Sequence, residues 1–353
     1  MTWRGLVSVA AGVLASGCAY YNAMWSAEHH ASEARRLEQR GEASEARAEW
    51  TQAAGKAEAV TLRHPRSRWA DDALVLQAEA LVRSGACRDA AGPLARARAN
   101  VKDLALRERA DLAAAQCAIG AGSALDAEAA LIAPLQSSNT ERRSRAEYLA
   151  GQAATQRSDY DAAIAHFGRS REGAALGRAL VGQQRLLITR ARTRADLTPI
   201  AADLNRLVRA EHGVDESTHL LGLLMQVMAA AETPAARFHI AEVARDSLQA
   251  PALAGQMFLD AAGGDAGSLF APKALIAALV LTPDKHDSIV AVLDSRYAAS
   301  PYTRAFHGES SVSYTAAEDS LARVQGVRTA PSIRRPLEAR FGAPRPGPRG
   351  PVL

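Results

Sequence analysis

The chain has 353 residues, 48% of them apolar and 23% charged, with a formal net charge of +4. A folded state with a substantial core is expected, and the length admits two average domains or one continuous repeat array. Arginine and glutamate are mixed along the chain rather than clustered on one element, so nucleic acid is not an expected partner.

Residues 1–17 open on Met1, Thr2, Trp3 and Arg4, continue as a small apolar run from Gly5 to Ala15, and end on Ser16 and Gly17. A basic start, a short apolar run and a small-residue site make a secretory signal peptide. The run is too short to span a bilayer, which needs about 20 residues. Small residues directly before Cys18 resemble the lipobox of bacterial lipoproteins, with Leu14 one place earlier than usual and Ala15 in its position. That resemblance implies cleavage before Cys18, acylation of its thiol and of the new amino group, and a linker reaching to residue 25. Ala19 in place of Asp implies the periplasmic face of the outer membrane. An ordinary signal peptide, cut near Gly17 or Ala19, is the alternative and leaves a free periplasmic protein.

Aromatic residues are 5% of the chain, Ala, Leu and Arg dominate it, and strand formers almost never alternate. The expected class is all-α. From residue 26 to 172 four segments fit one template. Gly41, Gly85, Gly122 and Ser158 mark turns 44, 37 and 36 residues apart. Seven residues before each stands a small residue, namely Ala34, Ala78, Ala115 and Gly151. Ala46, Ala90 and Ala163 follow the turns, and Trp50, Leu94, Leu131 or Phe167 comes four residues later. Small residues let two helices cross closely, the turn residue relieves the backbone, and the bulky side chain fills the space beside the crossing. A long second helix is expected in the first unit, stopped near His64 by Pro65.

These residues resemble the tetratricopeptide repeat, whose period is about 34 residues. The link TLRHPRSRWADDA (residues 61–73), echoed by SRYAASPY (residues 295–302), resembles BamD-like cell-envelope tetratricopeptide lipoproteins. The resemblance implies a solenoid of helix hairpins, coiled as a right-handed superhelix, whose concave face binds other proteins of the envelope. Residues 173–325 are expected to be further helices of less regular pattern, with 173–267 outside the template. Helical phase nominates Arg35, Glu38, Gln77, Glu147 and Gln152 as groove-lining positions.

Residues 220–231 form the most apolar stretch of the body and are expected as a buried helix. Ser313 or Thr315 is expected to cap the last helix, with Glu318 in its first turn. The 326–353 segment, rich in Pro, Gly and Arg, is expected to be disordered, either as a solvated tail or as a basic arm.

Chemistry-bearing motifs are absent from the sequence: no HExxH, paired CxxC, GxSxG or P-loop occurs. His29 and His30 are neighbours, about 100° apart on a helix, and cannot share a metal there. Glu309-Ser310 resembles the catalytic pair of lytic transglycosylases, but the continuation from Ser311 lacks their Gly-Leu-Met-Gln-type segment. No cofactor, metal or small-molecule substrate is expected. The template brings Cys87 and Cys117 onto adjacent antiparallel helices, which leaves two readings: a disulfide in an oxidising periplasm, or two small buried thiols. The function expected is that of a membrane-anchored periplasmic scaffold without catalysis. A soluble periplasmic adaptor and a peptidoglycan-acting enzyme on a helical solenoid are the alternatives.

Overall fold

The structure, a computed structural model, describes residues 23–209, 215–263, 268–309 and 312–324. Cys18, the preceding signal segment and the 326–353 tail lie outside the described residues. Among the described residues the chain is all-helical, without strands, and its seventeen helices pack in neighbouring pairs. The described residues form two compact units, one of those up to residue 187 with 203–218, the other of residues 188–202 with those from 219 on.

Unit 1 contains α1 (residues 23–39), α2 (Ala43–Arg63), α3 (Ala70–Arg83), α4 (Cys87–Asn100), α5 (Leu104–Gly120), α6 (Ala124–Leu131), α7 (Thr140–Gln156) and α8 (Tyr160–Arg169). They form four hairpins, and the four turns share one geometry. Gly41, Gly85, Gly122 and Ser158 all have positive φ, at 80°, 91°, 77° and 61°. In each turn the next N–H reaches back five residues: Glu42 to Leu37, Ala86 to Leu81, Ser123 to Ala118 and Asp159 to Ala154, at 2.8–3.0 Å. These bonds satisfy carbonyls that the ending helix leaves open. Ser158 alone carries a Cβ in this left-handed conformation, which costs an L-residue about 1–2 kcal/mol. Ser158→Gly is therefore expected to raise stability by up to about 1 kcal/mol, once glycine's greater chain entropy is set against the relief. A rise in melting temperature checks it.

The crossings are built from small residues. Ala34, Ala78 and Ala115 are fully buried, as are Ala90 and Ala163, and Ala46 is nearly so. Trp50, Leu94, Leu131 and Phe167 are buried beside them. At Gly151 a Cβ would stand 2.6 Å from the Phe167 ring, so glycine is required there. A Cβ on Gly182, in α9 (Leu176–Arg190), would come within 3.2 Å of the other edge of that ring. Ala179 and Leu186 join the same cluster. This is why unit 1 extends past residue 172 to 187: the last bulky side chain of the template needs α9 as its outer wall.

Side-chain caps fix three helix starts. Asp103 accepts from the Leu106 N–H, Asn139 from that of Arg142, and Asp159 from that of Ala162. Helix α2 ends at Arg63, two residues before Pro65. Cys87, the first residue of α4, is disulfide-bonded to Cys117 in α5, with Cα atoms 5.6 Å apart and a sequence separation of 30. Closing a loop of that length stabilises by about 3–4 kcal/mol through the unfolded chain. Reduction is expected to lower the urea midpoint of unit 1 accordingly, measured with and without a phosphine reductant.

Unit 2 is built around α12 (Pro234–Glu242), α13 (Pro251–Gly263), α14 (Phe270–Leu281), α15 (His286–Arg296), α16 (Pro301–Phe306) and α17 (Val312–Val324). Phe238 packs against Phe258 and Phe270, with ring centroids 5.3 and 5.5 Å apart. Lys273 bonds both carboxylate oxygens of Glu318, at 2.8 and 3.0 Å, and so ties α14 to α17. Ser313, Thr315 and Glu318 all lie inside α17, so Glu318 serves this tie and not the first helical turn. The remaining helices are α10 (Arg194–Arg209) and α11 (Asp215–Met228). Helix α11 is buried on one face only: Leu220, Leu224 and Val227 are inside, whereas Met225 is 57% exposed. The apolar stretch from 220 therefore belongs to an amphipathic helix that stops at Met228, before Ala229–Ala231 are reached.

Candidate functional site

The first helices of the four hairpins share one register. Six residues before each turn stand Arg35, Glu79, Gln116 and Gln152, each next to the small residue that makes the crossing. Two of the four, Gln116 and Gln152, line a hollow of about 420 Å³ in unit 1, together with Glu38, Arg83, Arg145 and Tyr148 among others.

Its floor is an ion network. Glu79, with 7% of its side chain exposed, is approached by Arg109 at 2.8 Å, Arg145 at 3.4 Å and Arg83 at 3.6 Å. Arg83 also bonds Glu38 at 2.6 Å, and Arg145 donates to Gln116 at 3.0 Å. Burial works against ionisation of Glu79, but Arg109, Arg145 and Arg83 outweigh it and hold the carboxyl at about 2. Burial, and then Arg83, bring the Arg145 guanidinium down to about 10, so it stays charged at neutral pH. Arg83, Arg145 and Arg178 line the hollow together with Glu38, Glu141 and Glu172, so the two signs of charge are balanced around it.

The wall is amphipathic. Gln152 Nε2 donates to Tyr148 Oη at 3.0 Å, and the Arg178 guanidinium lies 5.7 Å from the Tyr148 ring centre. Burial raises the Tyr148 phenol, so the hydroxyl stays neutral. An arrangement of this kind offers donors, acceptors, a ring face and charges of both signs. Among the described residues no group of three metal-ligating side chains occurs. His29 stacks on Trp25, and His30 Nδ1 bonds Glu49 at 2.7 Å.

Of the five positions nominated from helical phase, Glu38 and Gln152 line the hollow. Arg35 lies on the Trp50 ring, 5.4 Å from its centre. Gln77 is buried in α3, 4% exposed, where the helix turns it inward. Glu147 is also buried and points to α8, bonding His166 at 2.7 Å and Arg169 at 2.9 Å. Phase reasoning missed Glu79, Arg83, Arg145 and Tyr148. The six-before-turn column, applied strictly, selects Glu79 over Gln77.

Unit 2 has its own hollow of about 450 Å³, lined by Arg192, Arg194, Arg237, Leu253, Met257 and Asp260 among others. Arg237 is held by the backbone carbonyls of Ala231 and Glu232.

Compared with protein-family models, curated proteins and solved structures, the chain finds no match.

Proposed function

We propose that the protein is a lipid-anchored scaffold at the periplasmic face of the outer membrane, a tetratricopeptide-type solenoid coiled as a right-handed superhelix. Its first-helix face binds segments of other envelope proteins and performs no catalysis. The observation that carries this reading is the repeated turn: four hairpins share one left-handed turn, and the first helices of two of them bring Gln116 and Gln152 to one hollow. Stacked repeats present the aligned faces of their helices as extended binding surfaces. The anchor half of the reading rests on Cys18 and the apolar run before it. More than one acyl chain makes a stable attachment.

The test compares wild type, Cys18→Ala and Arg178→Glu by fractionation and by cross-linked pull-down with mass spectrometry. Wild type should fractionate with the outer membrane and recover a defined envelope partner. Cys18→Ala should lose outer-membrane fractionation, and Arg178→Glu should stay anchored but lose the partner. Identical behaviour of wild type and Cys18→Ala would favour the free periplasmic adaptor.

A further inference from the structure

One end of unit 1 gathers features that the groove does not use. The α1–α2 hairpin is antiparallel, so the start of α1 lies beside the end of α2; Met24 and Ala27 share one core cluster with Ala57 and Val60. At this end two large apolar side chains face outward, Trp25 at 56% and Leu62 at 71% exposure. The link from α2 to α3 leaves from the same place and carries exposed Arg63, Arg66 and Arg68, with the Arg68 guanidinium 4.9 Å from the Trp69 ring centre. Residues 59–70 contain no acid. Asp71 and Asp72 begin α3, where its positive N-terminal end favours them.

The sequence leading into this end has the same character. Residues 19–27 carry no charge and include Tyr20, Tyr21 and Trp25, in a chain that is only 5% aromatic. Trp25 is seven positions after Cys18, a reach of at most about 25 Å. Tryptophan and tyrosine favour the headgroup level of a bilayer, and arginine pairs with phosphate there. We propose that Trp25, Leu62 and the 63–69 link form a foot that rests on a phospholipid surface bearing anionic headgroups. The proposal builds on the acylation of Cys18. Acyl chains tether the protein but leave it free to swing, whereas the foot sets its orientation. Glu38, thirteen residues further along α1 and on the groove, then stands about 20 Å farther along the helix axis from the foot.

The processed, acylated full chain is reconstituted into vesicles of phosphatidylcholine and phosphatidylglycerol, with and without bromine on the acyl chains, and tryptophan emission is read. Trp50 is buried in the protein, so Trp25 and Trp69 are the reporters. Brominated lipid should quench wild type, and Trp25→Phe should remove about half of that quenching. Arg66→Glu with Arg68→Glu should weaken quenching in anionic vesicles and leave it unchanged in pure phosphatidylcholine, as should 1 M salt. Melting curves confirm that each variant is folded. Protein that floats with the vesicles but is not quenched overturns the foot and leaves the anchor standing. Protein that does not float overturns both. Unquenched protein whose arginine variant loses a cross-linked protein partner assigns the surface to that partner instead.

Discussion

Glu79→Gln is expected to destabilise unit 1 by about 3–5 kcal/mol, the usual consequence of removing one partner from a buried charge network. The substitution keeps shape and volume, but it takes from Arg83, Arg109 and Arg145 the carboxylate they share. Chemical denaturation at neutral pH reads the loss directly. The same carboxylate makes a pH signature. Its folded value of about 2 lies below the ordinary 4.5, so its contribution is fully present above about pH 4.5 and disappears as pH falls towards 2. A shift of that size corresponds to about 3 kcal/mol. Asp72 and Asp111 act in the opposite sense, because burial raises both carboxyls. The difference between wild type and Glu79→Gln isolates Glu79 from them: the gap between the two denaturation curves should be widest at pH 6–7 and close by about pH 2. A gap independent of pH would mean that the arginines do not hold Glu79 ionised.

Parts of this fold were legible one residue at a time. Gly41, Gly85 and Gly122 are glycines because the turns need positive φ, and a local backbone demand leaves a local trace in sequence. The same holds for Ala34, Ala78, Ala115 and Gly151, where a close crossing admits little or no side chain. The floor of the groove left no such trace. Arg145 meets Glu79 across 66 residues, and nothing in either neighbourhood announces the other. Rotation about the helix axis was the second difficulty. Gln77 and Glu79 differ by two positions on α3, and both are buried, so polarity alone could not say which belongs to the arginines. Glu147 and Arg145 stand in the same relation on α7, the one turned to α8 and the other to the groove. The column six before each turn resolves the first case because it measures phase from a fixed backbone feature rather than from composition.

Trp50→Ala is expected to cost about 3–5 kcal/mol, and Trp50→Phe about 1.5–3 kcal/mol. The two numbers separate two roles of one side chain. Trp50 is fully buried, in a core cluster made mostly of alanines, Ala31, Ala34, Ala53 and Ala54 among them, whose side chains have no atoms to spare for filling a void. Alanine there leaves a cavity in an alanine-rich core, whereas phenylalanine keeps most of the volume. What phenylalanine loses is the indole N–H, which donates to Glu38 at 2.9 Å and so helps to hold the carboxylate that pairs with Arg83. Both Arg83 and Arg35 lie over the indole face, at 5.0 and 5.4 Å from its centre. The ring therefore couples the core of the first hairpin to the charged floor of the groove. Urea unfolding of both variants should rank Ala well below Phe. Equal losses would mean that the bond to Glu38, and not packing, is the main contribution. In the Phe variant Arg83 should keep its pairing with Glu38 and Glu79, so the Glu79-dependent acid transition survives. In the Ala variant the arginines lose the surface on which they rest, and that transition should broaden or shift towards neutral pH.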